Sequence, residues 1–262
     1  MSLLPGTPHW KRQVAFYAKA ETTRYHWLTQ NPVVAQAEAH LLRRIPHSSD
    51  GGRMLEVGCG EGANLTTLRR LGLRLDYIGF DYFPDKIQFC RKVHCTQAAF
   101  LLADGRATFP FREGVFDLVL LRDVLHHVEA PSRSALLQES FRVLRTGGCL
   151  ALVEGNVKNP VNLVYSLLLP HERLMLETSA PKLRAWLMEV APAFTNQIEQ
   201  WMEEPSTFFR FALHYRYGLP GLGRMGAVVK LLERLSRRCR ERSPQQRWAY
   251  SVFKMVKRDV SS

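Results

Sequence analysis

Met54-Leu55-Glu56-Val57-Gly58-Cys59-Gly60-Glu61-Gly62 is the stretch on which the fold turns. Met54 to Val57 reads as a short strand. It runs straight into glycines at alternate positions, and Asn64 to Leu71 behind them reads as a helix. Glycine lets the backbone turn sharply and approach a ligand closely. The spacing is GxGxG and differs from the GxGxxG dinucleotide fingerprint. Taken alone it is either a cofactor loop or a simple tight turn.

Outward from this stretch, strand and helix alternate. Asp76 to Phe80 and Ala99 to Ala103 read as the second and third strands, with a helix over Pro84 to Val93 between them. Phe116 to Leu121 is a nearly continuous apolar strand, as expected when both faces are buried. Ser134 to Leu144 reads as a helix stopped by Gly147-Gly148, and Cys149 to Val153 as a fifth strand. Short strands joined by crossovers form a parallel sheet covered on both faces. Upstream, His9 to Ala20 and Val33 to Ile45 carry helical spacing, separated by Asn31-Pro32, and Ser48 to Gly52 is a loop. Downstream, His171 to Val190 reads as one or two helices and Thr195 to Trp201 as a sixth strand. Arg224 to Arg242 reads as an amphipathic basic helix and Trp248 to Met255 as a last strand. The expected organisation is an N-terminal helical cap (1–50), an α/β core (51–202), a basic helical insertion (203–246), and the last strand with its tail (247–262).

Asp81 closes the second strand roughly twenty residues beyond the glycine loop, where a carboxylate can accept from both ribose hydroxyls. Asp104 closes the third strand, where a carboxylate can accept from an adenine amino group. Either Asp alone could instead cap a helix or face solvent. Together with the glycines they sit at the carboxyl ends of the strands, the rim on which open α/β sheets bind ligands.

Six segments in order, Leu55 to Gly62, Gly79-Phe80-Asp81, Ala103-Asp104, Phe116 to Leu120, Val124-Leu125-His126-His127-Val128 and Arg142 to Gly148, make residues 54–154 resemble class I S-adenosylmethionine (SAM)-dependent methyltransferases of the small-molecule type. The resemblance implies a Rossmann-like, mostly parallel seven-stranded sheet whose last strand runs antiparallel. It implies SAM as cofactor, with Glu56 and the loop glycines Gly58 and Gly60 on its amino-acid part, Asp81 on the ribose and Asp104 on the adenine. Cys59, Tyr82, Gly105 and Leu121 flank these positions and complete the expected cofactor rim. Thr146 stands where the family often has Pro. Arg122-Asp123 stands where small or apolar residues are common; its charges face a polar substrate or form a local ion pair.

Methyl transfer to a hydroxyl needs a base and a water-poor site. His126 and His127 lie just past the fourth strand and Glu154 ends the fifth, on the same rim as the glycine loop. Histidine suits the role because it titrates near neutrality. At most one of the pair is expected to be catalytic, with Glu154 orienting it; the alternative is that both pack. Arg24-Tyr25-His26-Trp27 is a candidate lid or a packed helix. Glu154 to Pro160 resembles the post-strand loop of methyltransferases that modify natural products and cell-surface glycans, which points to a small or lipid-linked acceptor, with oxygen favoured over carbon or nitrogen.

Lys+Arg number 36 against 24 Asp+Glu, a net charge of +12. Such a surplus suits an anionic partner or is simply a solvated basic surface. The basic helix, with Val228, Leu231, Leu232 and Leu235 on one face, either packs on the domain or contacts an anionic membrane surface. Nucleic-acid methylation is disfavoured, because Arg122-Asp123-Val124-Leu125 replaces the Asn/Asp-Pro-Pro-aromatic motif of amino-methylating enzymes. A non-catalytic SAM-binding protein is disfavoured by the intact loop and Asp81, and a nicotinamide enzyme by the glycine spacing. Five scattered cysteines without metal-ligand spacing read as reduced thiols and no metal site. Without a signal peptide or spanning segment, the expected location is cytoplasmic, with peripheral membrane contact open.

Overall fold

The computed structural model describes residues 8–45, 51–95, 98–191, 198–204 and 207–258. Residues 48–50 of the expected loop and 195–197 of the expected sixth strand lie outside them. Seven strands form one sheet: β1 (Arg53–Val57), β2 (Asp76–Asp81), β3 (Ala99–Leu102), β4 (Phe116–Arg122), β5 (Leu144–Gly155), β6 (Ile198–Glu203) and β7 (Tyr250–Val256). Their order is β3-β2-β1-β4-β5-β7-β6. β7 runs antiparallel to both neighbours, and the β1 to β5 pairings are parallel. The order reverses between β1 and β4, which puts a crevice at their carboxyl ends.

Alternation along each strand feeds two cores. Leu55 and Val57 of β1, with Val119 and Leu121 of β4, face α6 (Ala130–Arg142) and α8 (Ala180–Val190). Met54, Leu118 and Leu120 face α3 (Pro32–Arg43), α4 (Ala63–Arg70) and α5 (Pro84–His94). Before the sheet stand α1 (Pro8–Tyr17) and α2 (Thr22–Gln30); α7 (Pro160–Leu168) follows β5, and α9 (Thr207–Ala212) with α10 (Gly226–Arg242) fills the interval between β6 and β7.

Two local expectations needed correction. The N-terminal region contains a third helix, α2. Its Thr22, Thr23, Tyr25 and Trp27 are weak helix formers, and tertiary contacts hold it. Trp27 Nε1 donates to the Leu213 carbonyl at 2.7 Å, and the Tyr25 and Thr66 hydroxyls meet at 2.9 Å. β5 starts at Leu144 and runs through Gly147-Gly148 instead of after them. The register against β4 shifts between Phe116 and Leu118, so these glycines accommodate a bulge. A Cβ on Gly148 would stand 2.8 Å from the Arg145 carbonyl and 2.9 Å from that of Phe116. The stretch after Pro170 forms two helices, as expected: a short 3₁₀ helix (Arg173–Glu177) followed by α8.

Candidate active site

The crevice between β1 and β4 opens into a cavity of about 370 Å³. The carboxyl ends of β1, β2, β3 and β4 form its floor; α1, α2, α7 and α9 form its walls. Aromatic side chains dominate the walls, among them Phe16, Tyr17, Tyr165, Phe211 and Tyr215.

The glycine loop leaves β1 with positive φ at Gly58 (69°), Gly60 (54°) and Gly62 (73°), a conformation that disfavours any side chain. At Gly60 a Cβ would meet only Arg24 Nη1, at 4.0 Å, so the loop backbone lies open to the cavity. Asp81 ties the loop to β2: its carboxylate accepts from Gly60 N at 2.9 Å and from Phe83 N at 3.0 Å. Each oxygen has one such bond and keeps acceptor capacity. Asp104 is held bidentately by Arg106 at 2.9 and 2.8 Å. The Arg106 guanidinium lies over Trp10 at 4.6 Å and over Tyr82 at 5.4 Å. An aromatic and ionic wall therefore stands where an adenine is expected. Gly105 packs so that a Cβ would meet Leu136 at 3.0 Å. An exposed loop backbone, carboxylates on successive strand ends and flanking rings fit SAM.

Glu56 is buried beneath the loop yet lines the cavity. It accepts from Asn64 at 2.6 Å and from the Tyr77 hydroxyl. Burial outweighs these hydrogen bonds and the nearby Arg122, and pushes its pKa up to about 7. The folded protein thus keeps this proton between about 4.5 and 7, where the unfolded chain has lost it, so this contribution to stability falls as pH rises through that window. A cationic amino group beside Glu56 favours the carboxylate. SAM affinity should therefore rise with pH between 6 and 7, by up to roughly tenfold per unit, with proton release. Calorimetry in buffers of different ionisation enthalpy reads this directly. A flat affinity with no proton release excludes Glu56 from the cofactor's amino group.

The second half of the site is a chain of buried acids and rings. The 3₁₀ turn Leu125–His127 follows β4. Glu154 accepts from the backbone N–H of Val124 at 3.0 Å and Leu125 at 2.6 Å, and holds His126 Nδ1 at 2.5 Å. On the other side of the ring, His126 Nε2 faces Glu172 Oε2 at 3.4 Å. Tyr17 donates to the other oxygen of Glu172. Burial opposes charge on His126, but Glu154 and Glu172 outweigh it and hold its pKa well above the ordinary value. His126 is an imidazolium locked between carboxylates. His127 behaves oppositely. Burial and the adjacent His126 charge push its pKa well below the usual range, so it is neutral at physiological pH. Its ring lies 3.9 Å from that of His126 and 4.8 Å from that of Tyr17, and Gln13 Nε2 meets its Nδ1 at 3.0 Å.

Glu56, Gly58, Cys59, Gly60, Asp81, Tyr82, Asp104, Gly105, His126 and His127 all line the cavity. Leu121 and Glu154 do not. Leu121 belongs to the core beneath α6, because alternation along β4 turns it away from the rim; Arg122 and Asp123 line the cavity in its place. Glu154 is fully buried behind His126 and bonds to its Nδ1. Arg122 makes a loose pair with Asp123 at 3.7 Å, but its main partner is Glu38 on α3. In the N-terminal run, Arg24 pairs with Glu61 of the glycine loop at 3.0 Å, while Tyr25 and Trp27 pack. Tyr17, Gln13 and Glu172 were not foreseen; they come from segments without a motif.

Residues 55–152 match the family described as methyltransferase domain. The chain is 33% identical over 128 residues to the fatty-acid O-methyltransferase of Mycolicibacterium smegmatis, a match that covers 49% of this chain and 42% of that protein. It is 33% identical over 111 residues to the phthiotriol/phenolphthiotriol dimycocerosates methyltransferase of Mycobacterium leprae, covering 42% and 40% respectively. The chain thus spans about two fifths of the length of the curated relatives it matches. Among solved structures, Haemonchus contortus phosphoethanolamine N-methyltransferase 2 in complex with SAM superposes with a TM-score of 0.69 at 15% identity, covering 97% of this chain and 61% of that one. A SAM-dependent methyltransferase from Thermotoga maritima, described as a possible histamine N-methyltransferase, superposes with a TM-score of 0.61 at 15% identity, covering 95% and 100%. The fold is that of the SAM-dependent methyltransferases.

Proposed function

We propose that this chain, whose residues 55–152 match the methyltransferase-domain family, uses SAM to methylate an oxygen of a small or lipid-linked acceptor. The observation that carries this reading is the continuity of one cavity, from the glycine loop to the neutral His127 beneath an aromatic wall. When bound, SAM supplies an electrophilic methyl group on a sulfonium. Glu56, Gly58, Gly60, Asp81 and Asp104 hold it. His127 takes the proton of a hydroxyl acceptor. His126, fixed by Glu154 and Glu172, keeps His127 uncharged until that moment, and Tyr17 and Gln13 set the positions of Glu172 and His127. Phe16, Tyr165, Phe211 and Tyr215 exclude water and suit an apolar acceptor. Both curated relatives are named for lipid substrates, which supports a lipid-linked one here.

The arginines of the cavity are engaged with carboxylates: Arg24 with Glu61, Arg106 with Asp104, and Arg122 and Arg210 with Glu38. That arrangement does not favour a polyanion such as nucleic acid. Among the described residues, no helix is long and apolar enough to cross a membrane. Exposed Arg234, Arg237, Arg238, Arg240 and Arg242 on α10 support peripheral contact with an anionic membrane surface.

The test is transfer of labelled methyl from SAM to dodecanoate, a long-chain phenol and a long-chain alcohol. Labelled ester or ether is the expected product. A protein that binds SAM and methylates none of these oxygens would remove the reading. Asp81→Ala should weaken SAM binding by about 1.5–3 kcal/mol, the value of a charge-assisted hydrogen-bond pair. Wild-type calorimetric affinity in that variant would take Asp81 out of the ribose role.

A further inference from the structure

We propose that the outer face of α7 and α9, with the turn 217–225 beside them, is a docking surface that seats the cavity mouth on an anionic lipid bilayer. The proposal rests on the lipid-linked reading above. In α7, Val161, Asn162 and Tyr165 line the cavity, while Val164, Leu167 and Leu168 point to solvent. At about 100° per residue Leu167 lies across the helix from Asn162 and Tyr165, and Leu168 is exposed at the C-terminal end of the helix, beyond the cavity-lining residues. Leu168 is 73% exposed. The helix is well anchored: the Asn159 side chain caps its first turn, and Asn162 Nδ2 donates to the Ala249 carbonyl at 2.7 Å. Its exposed leucines therefore stand on a fixed element.

α9 has the same division. Thr207 and Arg210 face inward, and Phe208 is 67% exposed. The pieces are contiguous. Asn159 Nδ2 meets Thr207 Oγ1 at 3.1 Å, the rings of Tyr165 and Tyr217 lie 6.1 Å apart, and Leu219 N donates to the Ala212 carbonyl at 2.8 Å. Exposed Leu219 and Met225 continue the ridge to the start of α10. Phe211 both lines the cavity and is 37% exposed, so the ridge borders the cavity's opening.

Charge identifies the occupant. Residues 155–171 and 207–232 contain no Asp or Glu. Lys158, Arg224 and Lys230 are exposed around the ridge, and the basic face of α10 follows. Apolar side chains rimmed by cations match the acyl boundary and headgroups of an anionic leaflet. A twofold dimer would set this acid-free surface against its own copy, like charge on like charge. Docked on the bilayer, the enzyme would receive a lipid-linked acceptor past Phe211 without its crossing water.

The test is co-sedimentation of the full chain with phosphatidylcholine vesicles containing phosphatidylglycerol. Retention of the wild type is expected. Leu167→Glu with Leu168→Glu should lower partitioning at least roughly tenfold, from lost apolar insertion. Melting temperature and SAM affinity should stay unchanged, since both side chains face solvent. Arg224→Gln with Lys230→Gln should lower partitioning roughly tenfold or more and reduce its salt dependence. Phe208→Trp should shift its emission to the blue on vesicles and be quenched by brominated lipid. The proposal is overturned by a wild type that stays in solution, by a double-glutamate variant that partitions normally, or by a lipid-free dimer that this variant dissolves. Turnover on free octanoate without vesicles tests the enzymatic reading separately: its absence in the wild type counts against methyl transfer and leaves the docking result standing.

Discussion

His127→Ala is expected to lower kcat toward a hydroxyl acceptor by about 10²–10⁴-fold, the usual contribution of a positioned base, with SAM affinity nearly unchanged. Burial and the His126 charge keep His127 neutral far below the ordinary histidine range, so kcat/KM for the wild type should stay flat through neutral pH and fall only in acid. A carboxylate acceptor is already ionised, and His127→Ala should cost much less with dodecanoate than with an alcohol. His126→Ala should differ in kind. It leaves Glu154 and Glu172 facing one another without the cation between them, so its loss should appear first in melting temperature. Glu154→Gln should fall between the two. Full turnover on an alcohol by the His127 variant would leave the reaction to proximity alone and transfer the acceptor's ionisation to the acceptor itself.

Glu38→Gln should be the most destabilising conservative substitution in the cap. Glu38 is buried on α3 and pairs with Arg122 at the end of β4 and with Arg210 of α9, the latter at 2.5 Å. Both guanidiniums also lie over the Tyr250 ring, at 5.6 and 5.7 Å. Burial raises the pKa of Glu38, but the two arginines outweigh it and hold it at about 2. The sign follows: this part of the stability is present in full above about 4.5 and is lost as pH falls toward 2. Removing the charge strands two buried cations, at about 3–5 kcal/mol, or roughly 10 °C in melting temperature. Adding Arg210→Met should recover part of that loss, since the pair is coupled. An unchanged Tm in the single variant would mean that water already reaches the arginines.

The strand-end rim of the cavity was legible because its parts obey strand periodicity. Gly58, Asp81 and Asp104 each follow a short apolar run, and the rim of a parallel sheet brings successive strand ends together. Leu121 was misplaced for the same reason that β4 was recognised: a strand buried on both faces is apolar throughout, so its pattern does not say which side chains point where. The seven-stranded sheet with its antiparallel last strand followed from resemblance. α2 was hidden because propensity alone argues against it, and Trp27 and Tyr25 earn their helix only through partners far along the chain. Of the buried chain of acids and rings on the far side of the cavity, only His126, His127 and Glu154 were legible. Tyr17 and Glu172 are 155 positions apart, and no spacing rule connects them. One hint was available: a histidine pair beside a single acid, Glu154, lacks an account of the second imidazole.

The place of β7 bears on the order in which the protein can assemble. β1 to β5 are complete once residues 53–155 exist, and their parallel pairings can form among themselves. Among the described residues β6 has no neighbour in the sheet except β7, which follows it in sequence. During synthesis, then, Ile198–Glu203 lacks its sheet partner until β7 follows. Tyr250–Val256 enters between β5 and β6 and joins the two. Ala249 and Tyr250 also line the cavity, so the segment that closes the sheet closes the pocket. A nascent chain short of β7 would carry the glycine loop but lack Tyr250 from the cavity wall. In the life of each molecule the glycine loop is thus in place before the wall that faces it is complete.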